Sequence, residues 1–249
     1  MAEIYEEGRF WMSLNTFSGK AKFYHSRPTY PAECIDYLIQ AYGLDENSII
    51  ADIGAGTGIL SIPFLERGMT VFSVEPNDDM FEELSKGLSQ YQKSTCFHNT
   101  AENTGLTDHS CDLIVVGTAL HWFDIDKFRL ECKRILKKEQ VAVLSIYSWF
   151  DSTKKLLNSP DYVDKHAKTA KEFFAPLKMK EMQFEYKLDY DCDRLVNYML
   201  SHGDAPLPDE NGFEKYVAKA KHSYEKFYDN KRAEFPFLAK CFTAIETVD

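Results

Sequence analysis

The chain has 249 residues, 44% of them apolar and 14% aromatic, which is enough to bury a substantial core and excludes a disordered chain. Its formal net charge of −10 argues against nucleic acid as the main partner, because phosphate contacts need basic patches. No apolar run approaches the ~20 residues that cross a bilayer, and the acidic start Met1-Ala2-Glu3-Ile4-Tyr5-Glu6-Glu7 carries no basic-then-apolar leader, so no membrane partner is expected.

In chain order, residues 31–42 read as a helix, with Pro31 near its start and Gly43 just past its end. Ile49-Ile50-Ala51 leads as a strand into Ala51-Asp52-Ile53-Gly54-Ala55-Gly56-Thr57-Gly58, and residues 59–67 leave it as a helix. Residues 70–74 form the next strand. Residues 78–92 form a helix with Phe81, Leu84 and Leu88 on one face. Strands follow at 95–98, 112–116 and 141–147, with a helix over 123–138 between the last two. Apolar strands alternating with amphipathic helices predict an α/β fold, a parallel sheet covered on both faces.

Beyond Tyr147 the pattern changes. Residues 151–181 are polar and Lys-rich, with Phe173 and Phe174 interspersed, and read as helices and loops of an insertion. Residues 184–188 alternate as a returning strand, and 209–229 are helical. The stretch 235–242 reads as a last strand, in which Pro236 suits an edge or a strand start. One domain is expected over 1–249, with a core over about 32–148 and 182–249. Cap elements are expected over about 1–31 and 149–181, and 191–230 is expected to be helical. The six cysteines, Cys34, Cys96, Cys111, Cys132, Cys192 and Cys241, form no CxxC pair and no cluster with histidine. They read as reduced thiols of a cytoplasmic protein, with no metal site.

The glycine run between strand and helix is the layout of a nucleotide-type cofactor loop. It supplies backbone bare of side chains, φ values that other residues resist, and N–H groups at a helix start. A dinucleotide fingerprint fails, because the sixth position from Gly54 is Ile59 and from Gly56 is Ser61. A P-loop fails because no lysine follows the glycines. Asp52 at the end of the strand repels a pyrophosphate and attracts a cofactor carrying an ammonium or sulfonium centre; capping of the following turn is the alternative. Glu75 after the second strand suits the ribose hydroxyls of any adenosine-type cofactor.

At these residues the chain resembles class I S-adenosylmethionine-dependent methyltransferases. Asp52-x-Gly54-x-Gly56-x-Gly58 is similar to their first motif, and Val74-Glu75-Pro76-Asn77 to the acidic element after the second strand. Thr100-Ala101-Glu102 resembles the element along the adenine, and Asp112-Leu113-Ile114-Val115 with Ala119-Leu120-His121-Trp122-Phe123 the fourth-strand motif. Tyr24-His25-Ser26-Arg27-Pro28-Thr29-Tyr30-Pro31 is similar to an upstream element of the trans-aconitate methyltransferase-like subgroup. Leu200-Ser201-His202-Gly203-Asp204-Ala205-Pro206 resembles its C-terminal element, with Gly203 in place of a second serine. The resemblance implies a Rossmann-like, seven-stranded, mostly parallel sheet with its last strand inserted antiparallel. A helical cap would come from the N-terminal segment and the C-terminal third. It implies S-adenosylmethionine held by Asp52, Gly54, Ala55, Gly56, Gly58, Glu75, Pro76, Ala101, Glu102 and Thr118.

The implied activity is in-line methyl transfer to a small molecule, a carboxylic acid being one acceptor that needs no general base. His121 is the candidate base, its imidazole able to titrate near neutrality, with packing in the cofactor wall as the alternative. Arg27, with Tyr24 and Tyr30, is placed to close over the site and take a carboxylate; an ion pair holding the N-terminal segment is the alternative. Trp122 and His202 complete the expected substrate side. A non-catalytic cofactor-binding module is the rival of another class, and an NAD-dependent oxidoreductase the third reading.

Overall fold

The computed structural model describes residues 16–138, 140–148, 160–228 and 233–245. Seven strands form one sheet: β1 Ile49–Ile53, β2 Thr70–Val74, β3 Ser94–Phe97, β4 Leu113–Gly117, β5 Val141–Ser148, β6 Lys178–Tyr190 and β7 Ala233–Ile245. Their order is β3-β2-β1-β4-β5-β7-β6. The pairs among β1 to β5 are parallel, and β7 runs antiparallel to both β5 and β6. The parallel sheet and the inserted last strand are therefore both as expected.

Among the described residues seven α-helices accompany the strands: α1 Ala32–Tyr42, α2 Ser61–Glu66, α3 Asp78–Leu88, α4 Ile125–Ile135, α5 Pro160–Phe174, α6 Cys192–Leu200 and α7 Phe213–Tyr228. Pro31 stands at the N-cap of α1 and Gly43, at φ 63°, closes it. Strand alternation sends successive side chains to opposite faces. Ile50, Val71, Leu113, Val115 and Leu144 meet α1, α2 and α3 on one face. Ala51, Ile53, Ile114, Val116 and Val143 meet α4 and α5 on the other. Burying each such large apolar side chain contributes roughly 1.5–3 kcal/mol.

Three expectations are corrected. First, β6 begins at Lys178, inside the stretch read as an insertion; it is an edge strand whose alternating lysines and glutamates disguise it. Second, α5 is not only cap, because Ala170, Phe173 and Phe174 pack with Phe128 and Phe242 into the core. Third, Pro236 lies in an interior strand rather than at an edge. The expected cap segments 1–15 and 149–159 lie outside the described residues. Among the described residues no helix is long and apolar enough to cross a membrane.

Candidate functional site

The loops after β1, β2 and β4 open at the carboxyl edge of the sheet into a cleft of about 820 Å³, where ligands of open α/β sheets collect. Gly54, Gly56 and Gly58 have φ of 69°, 57° and 87°, the left-handed region expected of them. The expected bare approach for a ligand holds less widely. A Cβ on Gly54 would stand 2.7 Å from Ala119 Cβ, and one on Gly58 2.9 Å from Leu84 Cδ1, so those two faces are closed by protein. Nor are the loop amides free. Gly54 N and Ala55 N donate to Val74 O at 2.9 and 3.0 Å, Gly58 N to Ala55 O at 2.9 Å, and Gly56 N to Glu75 Oε2 at 2.8 Å. A loop so committed has no row of N–H groups left for a phosphate.

Asp52 is wholly buried at the end of β1 yet lines the cleft. Its Oδ2 accepts from Ser61 Oγ at 2.6 Å, while Oδ1 has no hydrogen-bond partner among the described residues. Burial pushes its pKa up to about 7, the Ser61 bond opposing this and the Glu75 charge adding to it. The bond to Ser61 rather than to a loop amide sets aside the turn-capping alternative. Glu75 is also buried. Its Oε1 accepts from Asn77 N at 2.9 Å, and burial raises its pKa against the pull of the two backbone bonds.

Along the cleft, Ala101 is buried and Glu102 accepts the Asp124 amide at 2.8 Å, fixing the start of α4. The loop that carries them is clamped from behind. Glu131 accepts Thr104 N at 2.8 Å and both Nε and Nη2 of Arg134, at 2.8 and 2.7 Å. Burial would raise the Glu131 pKa, but these partners outweigh it and hold it low. Thr118, the residue after β4, stands at φ 57°, an unusual conformation for a threonine that costs roughly 1–2 kcal/mol. Tyr30 Oη stands 3.5 Å from its hydroxyl.

On the far wall, Tyr24, Arg27, Tyr30, His121, Trp122 and His202 all line the same cleft. So do Ala55 and Pro76; among the sequence-assigned residues Gly58 alone stands apart, turned to α3. Arg27 stacks on Tyr24, 4.4 Å from the ring centroid, and donates to Ser201 Oγ and O at 3.0 and 2.9 Å. It makes no ion pair among the described residues, so hydrogen bonds, not the alternative ion pair, hold the N-terminal segment here. His121 departs from expectation. Burial, then the charges of His166, Lys165 and Arg27, push its pKa down to about 3, so the imidazole is neutral throughout the ordinary pH range. His202 is pushed down to about 4, mainly by burial and by Arg27. Its Nδ1 lies 3.0 Å from Tyr198 O and therefore donates, leaving Nε2 as the accepting nitrogen.

Residues 51–144 match the family described as the methyltransferase domain. Over that stretch the chain carries a methyltransferase domain. An uncharacterized methyltransferase of Mycobacterium tuberculosis (strain H37Rv) is 36% identical over 126 residues, 51% of this chain and 49% of that protein. In that match the chain spans about half the length of its relative. An uncharacterized methyltransferase of Schizosaccharomyces pombe is 21% identical over 238 residues, covering 90% of this chain and 94% of that protein. A solved structure from Anaeromyxobacter dehalogenans, assigned as a type II methyltransferase, shares the fold with a TM-score of 0.63 at 19% identity. It covers 88% of this chain and 97% of that one.

Several residues of this methyltransferase domain's cleft carried no sequence signal. Phe17 packs edge-on to Trp122 with ring centroids 5.7 Å apart, and Lys165 of α5 reaches the wall from beyond the motifs. His166, buried behind His121 with ring centroids 4.4 Å apart, lies 3.2 Å from Ser145 Oγ through its Nδ1. The Gly203 departure does have a structural reason. A Cβ there would stand 2.7 Å from Thr16 Cγ2, too close for a serine unless the N-terminal segment moves.

Proposed function

We propose that this methyltransferase domain transfers a methyl group from S-adenosylmethionine to a small carboxylic acid. The observation that carries the donor is Asp52 Oδ1, a wholly buried carboxylate oxygen on the cleft wall with no hydrogen-bond partner among the described residues. Such a group is costly in an empty protein and suits a cationic amine brought by a ligand. Glu75 would hold the ribose hydroxyls, since each of its oxygens has given only one of two lone pairs to the backbone. Ala101 and Glu102 would flank the adenine. When bound, the donor's sulfonium supplies an electrophilic methyl group.

The acceptor reading rests on Arg27, a guanidinium on the cleft wall with no ion pair among the described residues, with Lys165 on the same wall. Guanidinium matches carboxylate geometry. An ionised carboxylate needs no proton removed, so a neutral His121 is no obstacle; with Trp122 it forms wall that excludes water and keeps the reacting atoms in line. A cleft of about 820 Å³ lies within the range of small-molecule sites. Six free thiols support the reducing cytoplasm as the compartment, and the net charge keeps nucleic acid out of the reading.

Isothermal titration with S-adenosylmethionine, and with NAD as the control, tests the donor: binding of NAD alone overturns it. A panel of carboxylic acids, phenols and amines with labelled donor tests the acceptor. Label in methyl esters is expected; transfer only to amines or phenols overturns the acceptor reading.

A further inference from the structure

We infer that Lys20 is a positioning residue through which donor binding sets the geometry of the acceptor wall; the inference rests on the donor reading above. Three consecutive residues of the N-terminal segment tie the two sides of the cleft together. On the donor side, Ser18 Oγ accepts from Asn77 Nδ2 at 3.2 Å and Gly19 N donates to Asp79 Oδ2 at 2.5 Å. Asn77 is itself locked: its N–H donates to Glu75 Oε1 at 2.9 Å, and its Oδ1 accepts Met80 N at 3.1 Å to cap α3. On the acceptor side, Lys20 Nζ donates to His202 O at 2.9 Å and also to Ala205 O. These carbonyls belong to the turn that carries His202, Gly203 and Asp204 along the cleft.

Lys20 is 3% exposed and makes no ion pair among the described residues. Burial lowers its pKa, with Asp204 and Glu210 partly restoring it. Burying an ammonium without a directly paired carboxylate is costly, and a methionine would fill the space without that cost. What the ammonium adds is a grip on two carbonyls of one turn. Ribose hydroxyls on Glu75 would stiffen the run Glu75–Asn77–Ser18, and Lys20, two residues on, passes that order to residues 201–206. Contiguous hydrogen-bonded contacts of this kind carry coupling between sites.

Hydrogen exchange with S-adenosylhomocysteine tests this. In the wild type the ligand is expected to slow exchange at 54–58 and 75–77, and by about threefold or more at 201–205. In Lys20→Met, affinity should stay within about threefold of wild type and protection at 54–58 remain, while the added protection at 201–205 is lost. Should Lys20→Met fail to fold, Asp79→Ala cuts the other end of the segment at a half-buried surface position and should reduce the same protection. Ligand binding without protection at 201–205 in the wild type, or protection kept in the folded variant, overturns the inference alone. Failure of the wild type to bind overturns the donor reading, and this inference with it.

Discussion

Replacing Asp52 by asparagine should make the empty protein more stable and the donor bind less well. Asp52 is wholly buried, keeps one hydrogen bond, from Ser61 Oγ, and has its pKa pushed up to about 7. In the unfolded chain an aspartate ionises near 4. The folded state therefore holds the proton more tightly, so the stability contribution of Asp52 is full below pH 4 and is lost as pH rises through 7. At about 1.4 kcal/mol per pH unit, keeping the ionised carboxylate buried at pH 8 costs on the order of 4 kcal/mol. Asparagine is isosteric, accepts the Ser61 bond through its oxygen, and carries no charge. Urea denaturation should show Asp52→Asn more stable by about 2–4 kcal/mol at pH 8 and by almost nothing at pH 4. Titration of S-adenosylmethionine should meanwhile show affinity lowered by about 10- to 100-fold, the worth of one charged hydrogen bond. A stability gain equal at both pH values, or an unchanged affinity, refutes the reasoning.

Glu75→Gln should weaken S-adenosylmethionine by about 10- to 100-fold in titration calorimetry, because in either orientation the amide NH2 would face a backbone N–H donor and one charged acceptor for the ribose is lost. Arg27→Gln should raise KM for the carboxylic acid found in the screen by at least about tenfold while donor Kd moves less than about threefold. His166, pushed down to about 4 by burial and by Lys165, favours folding above pH 6.5, and its contribution fades as pH falls toward 4. His166→Phe should therefore flatten the unfolding free energy between pH 7 and 4.5, by up to about 1.4 kcal/mol per pH unit in urea titrations.

The donor half was legible because its signals are local. Asp52, the glycines and Glu75 sit within one strand–helix–strand unit, and buried parallel strands read as apolar runs. The opposite wall depends on contacts between distant parts of the chain, which no window of sequence contains. Lys165 and His166 lie in a Lys-rich helix outside every motif, and His121 loses its basicity to burial and to charges more than 40 residues away. β6 hid behind charged side chains that belong on an edge. The three glycines were right in conformation, yet two of them make room for Ala119 and Leu84 rather than for a ligand.

The place of β7 also sets an order of assembly. Strands β1 to β5 pair with one another within residues 49–148, leaving only the outer side of β5 for β7, so the donor half can close while the ribosome is still making the rest. In the sheet β6 has no neighbour but β7. The edge strand, and the helices α6 and α7 threaded between the two, must therefore wait for the segment 233–245. During synthesis the donor loops are made before the turn carrying His202, which closes the far side of the cleft, can take its place.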